Sequence, residues 1–127
     1  MNSNPVGWFE IYVDDMSRAR KFYETVLSVK LDKLESPASG SPEMWMFPMR
    51  EGKPGAAGAL AKMKGGPSGG GTSTIVYFTC DDCAVEAGRV ASAGGEVMKP
   101  KSSIGEHGYI ALAIDTEKNI IGLHSMK

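Results

Sequence analysis

The sequence predicts an α+β protein built from two tandem modules, each a strand, a helix and then three further strands. Two observations carry this. The pattern from Trp8, WFEIYVDDMSRARKFYETVLS, returns from Ile75 as IVYFTCDDCAVEAGRVASAGG, aligning Asp15 with Asp82 at an offset of 82 − 15 = 67. The ends of the two halves also correspond: MWMFPM (44–49) matches YIALAI (109–114), and GALAKM (58–63) matches IGLHSM (121–126).

Each copy opens on an alternating strand. In the first, Phe9, Ile11 and Val13 take one face, and Trp8, Glu10 and Tyr12 take the other. The first face is core, whereas the second sets an acid between two aromatics. Asp14-Asp15 then turns the chain into a helix, where Ala19, Phe22, Tyr23, Val26 and Leu27 follow the i, i+3, i+4, i+7, i+8 spacing of an apolar stripe. The second helix has a thinner stripe of Ala84, Ala87, Val90 and Ala91, and Gly94-Gly95 predicts its end. KLDKL (30–34) and EVMKP (96–100) read as the first of the three following strands, and REGKPG (50–55) and DTEKN (115–119) as turns between the last two. Gly65 to Gly71 carries too few side chains to pack and is predicted to be a flexible linker. The expectation is one domain, 1–127, made of a module 1–64, a linker 65–72 and a module 73–127.

A chain of 127 residues, 42% of them hydrophobic, suffices for one domain with its own core. Its 14 basic and 15 acidic residues are scattered, leaving a net charge of −1 and no electrostatic footprint for nucleic acid or an anionic membrane. The start shows no basic segment followed by an apolar run, and no stretch reaches the ~18 apolar residues of a membrane span. These features predict a soluble, cytoplasmic protein. Both cysteines lie in Cys80-Asp81-Asp82-Cys83, formally a Cys-x-x-Cys. Structural zinc needs a second pair or histidines at fixed spacing, and the intervening aspartates disfavour the thiolates a redox motif requires. In the repeat Cys80 aligns with Val13 and Cys83 with Met16, so both read as small core hydrophobes.

Val13-Asp14-Asp15 with Ala19 to Leu27, Tyr77-Phe78 with Asp81-Asp82, and Gly108 to Ala111 with Asp115 to Leu123 resemble the vicinal oxygen chelate superfamily, which includes glyoxalase I, bleomycin-resistance proteins and extradiol dioxygenases. The resemblance spans nearly the whole chain. It implies a glyoxalase-like fold in which the tandem βαβββ modules form a curved, cup-like mixed sheet, often paired into a homodimer. It also implies a divalent metal held by the first and last strands of each half. The usual first ligand, often histidine, stands seven residues before the aspartate matching Asp15, at 15 − 7 = 8, which is Trp8; its counterpart, at 82 − 7 = 75, is Ile75. The expected glutamate falls on Gly122, and its first-half equivalent falls near Ala59. None of these side chains offers the carboxylate oxygen or imidazole nitrogen that such a cation takes, so the familiar metal site reads as lost.

Two residues beyond the lost positions stand Glu10, Tyr77 and His124, on the same strand faces by period two. These are the candidate catalytic residues. Glu10 among aromatics would lose hydration and shift toward neutrality, suiting a general acid or base; the alternative is a glutamate hydrogen-bonded to a tyrosine or paired with a basic residue. Tyr77 and His124 also have purely structural readings. Trp8, Tyr12, Trp45, Phe47 and His107 are the candidate ligand contacts: aromatic walls, and a histidine in the glycine-flanked loop IGEHG. Ala59, Ala61, Gly122, Ala111 and Ala113 are expected to leave open volume around them. Three functions compete: a small-molecule binder or lyase/isomerase without the usual metal, a metal-dependent lyase or dioxygenase using displaced ligands, and a drug- or metabolite-sequestering protein. A weak site from Glu10 and His124, completed by Tyr77 or water, is the form a displaced metal would take.

Overall fold

The computed structural model describes residues 4–35, 41–49, 52, 55–66 and 73–127. Its elements run β1 (Val6–Tyr12), α1 (Met16–Leu27), β2 (Asp32–Leu34), β3 (Glu43–Met46), β4 (Ala57–Lys62), β5 (Thr74–Thr79), α2 (Cys83–Ala87), β6 (Glu96–Ser103), β7 (Tyr109–Ile114) and β8 (Ile120–Ser125). Mixed α+β structure and the twofold strand–helix–three-strand order are therefore present. Most of the expected linker, 67–72, lies outside the described residues, as does most of the turn at 50–55. The backbone forms two compact units, one of Phe9–Thr74 and one joining the start of β1, up to Trp8, to Ile75–Lys127.

In the Phe9–Thr74 unit, β3 pairs antiparallel with both β2 and β4. The Asp15 carboxylate accepts from the Arg18 N–H at 3.0 Å and so caps α1, meeting one of the donors that a helix start leaves open. Ser28 ends the helix in the left-handed region with φ 52°. The core gathers Met16, Leu31 and Leu60, with Ile11, Val13, Ala19, Tyr23, Val29, Trp45 and Phe47 packed against them. Each fully buried leucine stabilises the unit by roughly 1.5–3 kcal/mol relative to exposure. Only part of the sequence stripe turns inward. Met16, Ala19 and Tyr23 face the core, whereas Phe22, Val26 and Leu27 remain 58%, 61% and 52% exposed. β3 stops at Met46 rather than Met49, in keeping with Pro48, which has no N–H for a ladder.

In the other unit β5 lies parallel to β8, β8 antiparallel to β7, and β7 antiparallel to β6. α2 is shorter than its stripe suggests. It ends at Ala87, where Gly88 follows, and Gly94 takes φ 100° in the turn before β6. Cys83 is the first residue of α2, as Met16 is of α1, and is fully buried with Ala111 and Leu123. Cys80 and Phe78 pack against that cluster, so both cysteines sit among core residues.

Candidate functional site

The Phe9–Thr74 unit places Glu10 and Tyr12 two residues apart on one face of β1, opposite the Ile11 and Val13 that pack under α1. Glu10 is only 4% exposed and Tyr12 8%. The Tyr12 hydroxyl donates to Glu10 Oε1 at 2.8 Å. Burial, then the Glu10 charge, then this hydrogen bond push the Tyr12 phenol well above its usual ionisation range, so it stays a donor.

The neighbouring strands show which residues share that face. A methyl on Gly58 would collide with the Phe9 ring, which puts Gly58 and Leu60 on the α1 side. Ala59 and Ala61, both fully buried, therefore turn to the Glu10 side. Their cross-strand partners are Met46 and Met44, while Trp45 pairs with Leu60. Trp45 and Phe47 accordingly belong to the cluster under α1 rather than to the Glu10 face. The Trp45 ring carries the Arg20 guanidinium 3.5 Å from its centroid, and its indole N–H donates to Glu43 at 3.0 Å. Met44 and Met46 are the face residues that sequence reasoning left unassigned, because alternation cannot tell which alternate set faces which side.

In the other unit Tyr77 is buried and its ring lies over its strand partner Gly122, filling the space a side chain there would need. His124 follows on the same face of β8. Its Nε2 donates to the His107 carbonyl at 2.6 Å, tying β8 to the loop at Ile104–Gly108. That loop turns through Gly105 and Gly108 at φ 79° and 99°, and Gly108 has no room for a side chain against the Ser125 carbonyl. The His107 ring is half exposed and stands 3.9 Å from Glu106. Trp8 is half-buried. Ala111, expected beside the candidate site, instead packs against Cys83 and Leu123 on the α2 side.

The metal positions implied by the resemblance do not fit a metal. Trp8, Ile75, Ala59 and Gly122 bring no donor, and the Tyr77 ring already occupies the side of Gly122 from which a ligand would project. The cysteines are free thiols. Burial, followed by the Glu86 charge and hydrogen bond, pushes the Cys80 thiol up to about 11, which opposes the thiolate a reactive pair would need.

A model of the Glyoxalase/Bleomycin resistance protein/Dioxygenase superfamily matches residues 6–121. CFP32, a provisionally named glyoxylase of Mycobacterium bovis and of Mycobacterium tuberculosis, is 28% identical over 118 residues, covering 92% of this chain and 44% of its own length. The chain thus spans less than half of these relatives. Among solved structures, a hypothetical protein from Bacillus halodurans superposes with a TM-score of 0.73 at 14% identity, covering 99% of this chain and 96% of the other. Methylmalonyl-CoA epimerase from Mycobacterium tuberculosis gives 0.69 at 14% identity, covering 100% and 93%. A methylmalonyl-CoA epimerase in complex with methylmalonyl-CoA gives 0.66 at 15%, covering 95% and 93%. At such identities the likeness is one of fold. The matched span and the doubled strand–helix–three-strand order agree: the chain belongs to the Glyoxalase/Bleomycin resistance protein/Dioxygenase superfamily.

Proposed function

We propose that this protein binds a small organic molecule and moves a proton on it with the carboxylate of Glu10, without the divalent metal familiar in the superfamily. One observation carries the reading: an acid 4% exposed on a mostly apolar strand, with a tyrosine hydroxyl holding one of its oxygens. Burying a carboxylate is costly unless it is hydrogen-bonded, and acids kept in such places concentrate at functional sites. Met44, Met46, Ala59 and Ala61 on the same face suit an apolar portion of the ligand.

The chemistry is proton abstraction next to a carbonyl. A Glu10 oxygen takes the proton, the C–H electron pair remains on the substrate as an enolate, and the proton returns to the carbon from either side. No oxidant or further reactant enters. Epimerisation is a reaction of this class, and epimerases share the fold. The protein is further proposed to act in the cytoplasm as a homodimer.

Incubation in deuterated water with a panel of acyl-CoA thioesters and thiol–2-oxoaldehyde adducts, followed by proton NMR, tests this. At least one compound should exchange its acidic C–H for deuterium, and Glu10→Gln should slow that exchange by about a hundredfold or more. Exchange that survives Glu10→Gln unchanged removes Glu10 from the chemistry. Tyr77→Phe and His124→Gln in the same assay decide whether their side chains take part.

A further inference from the structure

Tyr12 offers more than a filled position in the strand. Its backbone N–H is tied to the Ser73 carbonyl at 2.7 Å, and its ring is buried, so its hydroxyl is held where it meets Glu10 Oε1. From β4 and β3 that face receives the apolar side chains of Ala59, Ala61, Met44 and Met46. A carboxylate among such groups loses hydration and tends to retain its proton. A protonated Glu10 could not accept one from a substrate. A donor that never ionises in the working range opposes this, because a hydrogen bond to a charged acceptor is about twice as strong as one between neutral groups.

We propose that Tyr12 is a positioning residue that keeps the buried carboxylate of Glu10 ionised and orients it, with Oε1 anchored to the phenol, for proton abstraction. This role rests on the reading of Glu10 given above, while the ionisation itself is measurable without any substrate.

The experiment labels the glutamate side-chain carboxyl carbons with carbon-13 in the full chain, without ligand. The Glu10 resonance is assigned as the one missing in Glu10→Gln. In the unaltered protein it should titrate in the ordinary carboxylate range. In Tyr12→Phe its midpoint should rise by at least about one pH unit, a tenfold weakening of the acid. A folded Tyr12→Phe protein with an unmoved midpoint overturns the proposal. Should that variant not fold, the unaltered protein still decides: a midpoint near neutrality with Tyr12 in place also overturns it. Replacing Tyr12 alone with the more acidic 3-fluorotyrosine should move the midpoint down, a response that a merely space-filling Tyr12 would not produce. A shifted midpoint together with failed deuterium exchange supports the ionisation but sinks the proton-transfer reading. Intact exchange with an unshifted midpoint does the reverse.

Discussion

Glu10 and Tyr12 stand two apart on one strand face, and each conditions the other: the phenol supplies a donor to a buried acid, and burial beside that acid suppresses the phenol's own ionisation. That they share a face was legible from alternation. That they bond to each other was one of the alternatives the sequence left open, since side-chain torsions are decided by packing. Gly122 shows the same division. Sequence reading marked it as a missing ligand, whereas the structure shows the Tyr77 ring in its place. Gly122→Ala should therefore cost about 1–3 kcal/mol through overpacking. Chemical denaturation should show that penalty shrinking in a Tyr77→Leu background, and equal penalties in both backgrounds would mean the ring does not set it.

At the scale of elements, the repeat placed a turn at each pair of aspartates, and the structure adds that Asp15 and Asp82 each cap the helix that follows. Asp82 has a second partner that sequence could not supply, Lys101 of β6, whose ammonium lies 2.8 Å away and 4.7 Å from the centre of the Tyr109 ring. The Lys101 hydrogen bond, then the Ala84 N–H, hold the Asp82 carboxyl below the usual carboxylate range. A depressed folded value means that its stabilisation is present above the unfolded value of about 3.9 and is lost as pH falls through the folded value. Asp82→Asn, which cannot titrate, should thus lower the melting temperature at neutral pH yet flatten its decline below about pH 4. Equal acid slopes for both proteins would count against the pairing. The helices were harder to read. Apolar spacing identified α1 but assigned Phe22, Val26 and Leu27 to the core, because the stripe's width does not say which part of it meets the sheet.

For the whole molecule, the absence of metal donors at the family's positions leads to a prediction about chelation. Dialysis against a strong chelator should leave the melting temperature within about one degree and the exchange rate unchanged, since a bound metal at a hundred times its Kd would add ~2.7 kcal/mol. A marked fall in either, reversed by nickel, zinc or iron, would restore the displaced-metal reading. Among the described residues, no helix is long and apolar enough to cross a membrane, in line with the apolar runs read from the sequence.

The sequence by itself determined the doubled strand–helix–three-strand order, the turns at Asp14-Asp15 and Asp81-Asp82, the core character of the cysteines and the division of β1 into two faces. All of these follow from local periodicity or from residue types that permit few backbone states. Tertiary structure alone decided that Met44 and Met46, rather than Trp45 and Phe47, accompany Glu10, and that Ala111 belongs under α2. Period two divides a strand into two faces without naming either. Only the register with the next strand, fixed by which side chains fit against which helix, says which face is which.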